Sequence, residues 1–150
     1  MALIQQIDQD LAAAMKSGQV DRVTVLRLVK SALKNEQIKQ GRELAEADAI
    51  KVLQREAKQR RDSIEAYTQG GRPELASSEQ AELAVIQSYL PQALSQAELT
   101  ELIEAAISET GATSKAQLGQ VIAAVMAKAA GRAEGAAVSK LAAERLSEQG

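Results

Sequence analysis

The sequence contains no cysteine and no histidine. Their absence excludes disulfide bonds, thiol nucleophiles and Cys/His zinc sites, and it removes the side chain that usually transfers protons at neutral pH. Phenylalanine and tryptophan are also missing, so the aromatic residues are Tyr67 and Tyr89. The core must therefore be aliphatic and rich in alanine. An all-carboxylate Mg²⁺ site stays conceivable, but the sequence gives no reason to expect a metal or a cofactor.

Long apolar runs are missing as well. No segment approaches the length of a membrane span, and the N-terminal stretch carries Asp8 and Asp10 where a secretory signal would have an apolar core. Hydrophobic residues make up 45% and charged residues 25% of the 150 positions, the usual globular balance. We therefore expect a cytoplasmic protein that does not bind membranes.

Apolar residues recur at helical spacing along the chain, and no window alternates at period two. The sequence predicts an all-α fold, with a helical domain of about four helices over residues 1–92 and a small three-helix tail domain over residues 93–150. Its strongest loop signal is QGGRPELASS at 69–78, and Pro91 marks the domain boundary. The third helix is predicted at about 46–68 and the fourth at about 78–89.

Capping signals predict several helix ends. In the first helix the apolar stripe runs from Leu3 to Met15. Asp21 is predicted to cap the second helix and Gly41 to end it. Two pairs have the spacing of a capping box for the fifth and sixth helices: Ser95 with Glu98, and Ser114 with Gln117.

Two stripes of cations stand out on helical wheels. They comprise Arg27, Lys30 and Lys34 on the second helix, and Lys51, Arg55 and Lys58 on the third. If these helices are antiparallel neighbours, the stripes could line one positive groove that follows phosphates without reading bases. Residues 1–72 carry a net charge of +3 and residues 73–150 a net charge of −5, which also favours the first half. The alternative is a solvated polar face, because no aromatic residues interleave to stack bases.

Two positions suggest structural roles. Arg60 falls within an apolar stripe and needs a partner, for which Glu79 and Glu82 on the next helix are candidates. Gly119 interrupts a good helix, at a cost of roughly 1 kcal/mol relative to alanine. A close helix crossing would explain Gly119, and room for a ligand or an RNA strand is the alternative.

The stretch KAAGRAEGAAVSKLA at 128–142 combines a turn with cations. Gly131 can end one helix in the left-handed conformation, and Gly135 gives freedom near the start of the next. With Lys128 and Arg132 beside the exposed amides, the turn could bind a phosphate. Glu134 places a negative charge there, which favours a structural turn instead.

At these residues the sequence resembles the GatB/YqeY family. Five segments follow one another in the family's order and cover nearly the whole chain: VLRLVKSALKN (25–35), EAKQRRDSIEAYTQGGRPELA (56–76), SYLPQALS (88–95), ETGATSKAQLGQVIAAVM (109–126) and GRAEGAAVSKLA (131–142). Glu134 stands where the family usually has aspartate, and Ser139 where asparagine is common.

The resemblance implies likeness to the helical and tail domains of the B subunit of tRNA-dependent amidotransferase, without its catalytic part. Those domains help to hold the tRNA body. The implied partners are tRNA, an aminoacyl-tRNA synthetase or amidotransferase components, and DNA is not expected. The resemblance places Lys128, Gly131, Arg132, Gly135 and Gly119 on recognisable tail motifs.

Three hypotheses follow for the function. The first is a non-catalytic accessory protein that binds tRNA through the two stripes and the tail turn. The second is a protein-interaction module with no nucleic-acid role. The third is a carbon–nitrogen ligase with glutamine as amido donor, as the family label implies, although the residues offer no nucleophile–base pair: Ser139 and Lys140 are adjacent and point about 100° apart on a helix.

Overall fold

The structure is a computed structural model that describes residues 2–149. This part of the chain contains seven α-helices, a 3₁₀ turn at Lys115–Gln117 and no strand, which confirms the all-α prediction. The helices are α1 (Ala2–Lys16), α2 (Val20–Gln40), α3 (Glu46–Gln69), α4 (Pro73–Gln87), α5 (Gln96–Thr110), α6 (Leu118–Ala129) and α7 (Gly135–Gln149).

The chain divides into two compact units, residues 1–90 and 91–150. Helices α1–α4 form the first unit around an aliphatic core. Leu26, Leu53 and Ile86, from three different helices, are fully buried there. The most extensive pairing is between α3 and α4, followed by that of α1 with α2. Each helix contributes one apolar stripe, as its 3.6-residue periodicity requires.

Helices α5–α7 form the second unit around a separate cluster of buried residues. Ile103, Val125 and Leu146 are fully buried in it, one from each helix. Alanine fills much of the remaining contact surface, so these helices can approach one another closely. None of the described helices in either unit is both long and apolar enough to cross a membrane.

The fourth helix begins earlier than its predicted start at residue 78. It starts at Pro73, and the loop before it is reduced to residues 70–72. Gly71 adopts the left-handed conformation at φ +71, and the amide of Arg72 then donates to the Tyr67 carbonyl over 2.8 Å. Because proline at the first helical position has its φ already set for a helix, Pro73 acts here as a start signal rather than a loop residue.

Two predictions about α1 and α2 were wrong. Met15 is 53% exposed, and Ala14 is buried instead, since the buried stripe of α1 changes its spacing from four residues to three after Leu11. Asp21 does not cap α2; the N-cap position is Gln19, and Asp21 lies in the first turn. Gly41 ends α2 in the left-handed conformation, as predicted.

The two predicted capping boxes had different outcomes. Ser95 and Glu98 form the box at the start of α5, with both reciprocal hydrogen bonds present. Ser114 makes no side-chain cap bond, so the second prediction was wrong. Instead the side chain of Gln117 turns back and its Oε1 accepts from the Thr113 amide over 2.8 Å. A 3₁₀ turn is inserted at this point, and α6 starts only at Leu118.

Candidate nucleic-acid interface

The cationic stripe of α2 is exposed along its length. Lys30 forms an ion pair with Asp8 of α1 over 2.9 Å. For Arg27 and Lys34 the described part of the chain provides no ion pair, and both side chains are exposed. Two of the three cations on this helix are therefore available to an external anion without the loss of an internal contact.

The stripe of α3 is also exposed. Arg55 pairs with Glu36 of α2 over 3.6 Å, and Lys58 pairs with Asp62 one turn along the same helix over 3.0 Å. Lys51 has no ion-pair partner among residues 2–149 and is exposed. A pair between two solvent-exposed side chains, such as Lys58 with Asp62, is worth about 0–1 kcal/mol, so a phosphate could displace Asp62 at small cost. The side chain of Glu36 is only 18% exposed, so releasing Arg55 from it costs more.

The two stripes do not line one groove as the wheels suggested. Lys30 reaches towards α1, whereas Glu36, which receives Arg55 of α3, lies six residues later. Six residues place Lys30 and Glu36 about 120° apart around α2. Lys30 therefore lies on the α1 side of α2, Arg27 and Lys34 point away from the core, and α3 is approached from the other side. The wheels gave the faces correctly, but only tertiary packing decides which faces meet.

Arg60 is buried in the first unit, with 8% of its surface exposed. Its Nη1 contacts Glu56 Oε1 over 3.0 Å, and its Nε contacts Glu82 Oε2 over 3.5 Å. The partner expected on α4, Glu82, is thus confirmed, and Glu56 is an additional one. Arg60 joins α3 to α4 as a structural residue, and it lies away from the exposed stripe of α3.

A third carboxylate belongs to the surroundings of Arg60. The pKa of Glu79 is raised by partial burial and by the negative charge of Glu82, and Arg60 opposes this shift. The guanidinium of Arg60 therefore interacts with carboxylates of both α3 and α4. Removing its charge would leave them facing one another in a partly desolvated space.

The cations of the tail turn are held by the second unit itself. Lys128 forms an ion pair with Glu109 of α5. Arg132 donates from Nε to the Gln92 carbonyl over 2.8 Å and lies 3.6 Å from Glu98. The Arg132 carbonyl accepts from the amide of Leu94 over 2.8 Å. Arg132 thus connects the segment before α5 to the turn between α6 and α7. Phosphate binding at this turn stays a prediction.

The glycines of the tail were only partly anticipated. Helix α6 ends at Ala129, and its C-cap is Ala130, a non-glycine residue in the left-handed conformation at φ 50. The helix therefore ends before the predicted Gly131, which follows in the left-handed region at φ 84. Gly135 is the first residue of α7. Around Gly119 a Cβ would meet no atom within 4 Å. The prediction of a close helix crossing at Gly119 was therefore wrong, because the residue lies on an open face of α6.

Sequence reasoning missed a polar network at the end of α4. Tyr89 donates its hydroxyl to Asp10 Oδ2 over 2.6 Å and accepts from Arg22 Nη2 over 3.2 Å. Burial and the neighbouring Asp10 raise the pKa of Tyr89 to about 12. A tyrosine in a chain with so few aromatic residues was the available signal, but its partners lie 67 and 79 positions away in sequence.

We expect the Tyr89→Phe variant to differ from the parent in its stability at high pH. The folded pKa of Tyr89 lies above the ordinary value of 10.0, so its contribution is complete below pH 10 and is lost as the pH rises towards 12. Urea unfolding at pH 8, 10 and 11.5 measures this contribution. The difference in unfolding free energy between the parent and the variant should become smaller from pH 8 to pH 11.5. A difference that stays constant would contradict the contribution of this hydrogen-bond network.

Two other kinds of site could bind a ligand: a cleft in the first unit, or a group of acidic side chains that holds a metal ion. Between α2 and α4 lies a polar cleft whose walls include Arg22, Ser77, Ser78 and Glu82. Among the described residues, no three acidic side chains are grouped in a way that could hold a metal ion. The exposed cations of α2 and α3 are therefore the strongest candidate for a binding surface.

The fold places the chain among all-α proteins built from two helical units, one of which carries exposed cationic stripes. The family described as YqeY-like protein matches residues 4–146, which is nearly the whole chain. The chain belongs to this family, and the resemblance inferred from its ordered motifs is confirmed.

One relative shows how far the likeness extends. Altered inheritance of mitochondria protein 41, mitochondrial, from Lachancea thermotolerans, is 32% identical over 90 residues. The alignment covers 59% of this chain and 48% of the relative. The chain thus matches about half the length of that protein, whose name assigns the relative itself to mitochondria.

Proposed function

We propose that this YqeY-like protein is a non-catalytic accessory protein that binds the backbone of tRNA, chiefly through the cationic stripe of α3. The observation that carries the proposal is the exposed row of Lys51, Arg55 and Lys58 on two successive turns. Lys51 is unpaired within the described chain, the Lys58–Asp62 pair is solvent-exposed, and Arg55 is itself 54% exposed although its partner Glu36 is only 18% exposed. Such a row can neutralise several phosphates at once.

The residues favour contact with phosphates over recognition of bases. No aromatic side chain accompanies the cations of α3, so stacking would contribute little. A net charge of −2 for the whole chain also limits its affinity for RNA on its own. We therefore expect an aminoacyl-tRNA synthetase or amidotransferase component to share the tRNA, in the cytoplasm.

Neutralising the α3 stripe should weaken tRNA binding. For the variant Lys51→Gln, Arg55→Gln, Lys58→Gln we expect a loss of affinity of about tenfold at low salt, because three of its phosphate contacts disappear. The slope of log affinity against log salt should also become shallower by about one unit for each cation removed. Filter binding of unfractionated tRNA between 25 and 200 mM salt, over which the Debye length falls from roughly 20 to roughly 7 Å, measures both quantities.

A matched control separates position from net charge. The variant Lys16→Gln, Lys115→Gln, Lys140→Gln removes three exposed lysines that lie outside both stripes, so it changes the net charge by the same amount. It should bind tRNA nearly as well as the parent. Equal losses in the two variants, or no loss at any salt concentration, would refute the α3 site.

A further inference from the structure

The outer face of α2 has a pattern that RNA binding does not explain. Six of its exposed residues follow one another at intervals of four, three, four, three and four positions, which is the spacing of a coiled-coil seam. The seam comprises Val20, Thr24, Arg27, Ser31, Lys34 and Ile38, all exposed. It lies opposite the buried stripe of the same helix and extends about 27 Å along the axis.

Apolar side chains mark both ends of this seam. Val20 is 72% exposed at its start and Ile38 is 68% exposed at its end. Leu28, beside the seam near its middle, is 47% exposed. Three of the four large apolar residues that the described structure leaves exposed are therefore on one helix. They do not form a contiguous patch, but their concentration on one helix surface is the observation that points to a protein-binding face.

The depression beside Ile38 strengthens this interpretation. It has a volume of about 400 Å³ and is lined by Lys34, Gln37, Ile38, Gly41, Arg42 and Glu43. The pocket offers an apolar wall beside Lys34. Arg42 there is already paired with Asp48 over 3.5 Å and Glu43 is acidic, so Lys34 is the cation that a partner carboxylate would meet. The pocket lies where α2 ends at Gly41, so a helix docked along the seam would reach it with its last turn.

The charge of the seam selects among possible occupants. Arg27 and Lys34 occupy its centre and have no ion pair within the described chain. In an antiparallel pair of two copies, Val20 would oppose Ile38 of the other copy. Arg27 and Lys34 of both copies, four cations in all, would then lie close together. Repulsion therefore disfavours a second copy. RNA would neutralise the cations but would leave Val20, Leu28 and Ile38 against phosphates, with no gain from their burial.

We propose that the outer face of α2 docks an acidic amphipathic helix of a partner protein. The partner's aliphatic side chains cover Val20, Leu28 and Ile38, and its carboxylates pair with Arg27 and Lys34. Helix-in-groove recognition uses anchors at this kind of spacing, and the opposite charges set the register. The proposal goes beyond tRNA binding and does not depend on it, because the tRNA test alters α3 alone.

A designed peptide tests the proposal directly. The probe is a helix of about three heptads with aliphatic residues opposite Val20, Leu28 and Ile38 and glutamates opposite Arg27 and Lys34, and its reverse-charge counterpart carries lysines in place of the glutamates. We expect the acidic peptide to bind the full chain with a dissociation constant below ~1 mM and the basic peptide to bind at least tenfold more weakly. Amide chemical shifts should change along residues 20–42.

Three variants locate the contact. The double substitution Leu28→Gln, Ile38→Gln should weaken binding of the acidic peptide at least tenfold. Met15→Gln, at a comparably exposed position of α1, should leave that affinity unchanged. Arg27→Glu with Lys34→Glu should reverse the preference between the two peptides. Failure of this reversal would overturn the proposal. So would peptide-induced shift changes centred outside residues 20–43, a dimer dissociated by Ile38→Gln, or a tenfold loss of tRNA binding in the Leu28→Gln/Ile38→Gln variant.

Discussion

Replacing Arg60 with methionine should lower the free energy of unfolding by about 3 kcal/mol. Methionine preserves most of the aliphatic volume, so the loss comes mainly from charge. Glu56 and Glu82, whose side chains are 13% and 27% exposed, would lose their shared partner, and Glu79 would lose the attraction that now opposes its raised pKa. Urea unfolding at pH 7, followed by circular dichroism, measures the difference.

The electrostatic origin of this loss has its own signature. Without Arg60, the attraction that opposes the raised pKa of Glu79 is lost, so this folded-state pKa rises further above its unfolded value. Groups with raised folded pKa values stabilise the protein when protonated, so the deficit of Arg60→Met should shrink as the pH falls towards the carboxyl range. The triple variant Arg60→Met, Glu56→Gln, Glu82→Gln should recover part of the stability at pH 7.

An exposed arginine provides the matched comparison. Arg27→Met removes the same charge from the surface of α2, where it makes no ion pair within the described residues, and should change stability by less than about 0.5 kcal/mol. If Arg60→Met were no more destabilising than Arg27→Met, Arg60 would not join α3 to α4 energetically. A deficit independent of pH would mean that lost packing, not unpaired carboxylates, dominates.

Local signals predicted most of the fold. The bounds of α3 at Glu46–Gln69 and the capping box at Ser95 follow from patterns within a few residues, so they could be found in one sequence. The start of α4 could not be found in the same way, because QGGRPELASS offers both loop signals and a proline that can begin a helix. Packing of α4 against α3 decides in favour of the helix.

The candidate site was predictable only in part, for a related reason. A helical wheel places Lys51 and Arg27 on exposed faces, and the structure agrees. It does not state which helix lies beside each face, so the single groove could not be tested from sequence. The contact of Arg55 with Glu36 and that of Arg132 with the Gln92 carbonyl both depend on how separate helices pack.

Ile103→Ala should be the most damaging single change in the second unit. Among the described residues, the core of this unit has twelve buried members, of which five are alanine. Few large side chains therefore carry its hydrophobic stabilisation, and Ile103 is fully buried among them. We expect a loss of about 2–5 kcal/mol, a large part of the stability that a domain of this size has.

Native-state hydrogen exchange can assign this loss to its unit. The slowest amides of α5–α7 should exchange faster in Ile103→Ala by a factor that corresponds to the expected free energy. Ile103→Val, which removes one methylene group, should cost only about 0.5–1.5 kcal/mol. The amides of Leu26 and Leu53, whose side chains are buried in the separate core of the first unit, provide the internal reference. Equal exchange in the two Ile103 variants would show that neighbouring helices collapse into the space, since an alanine-rich core of closely packed helices can relax further than a rigid one.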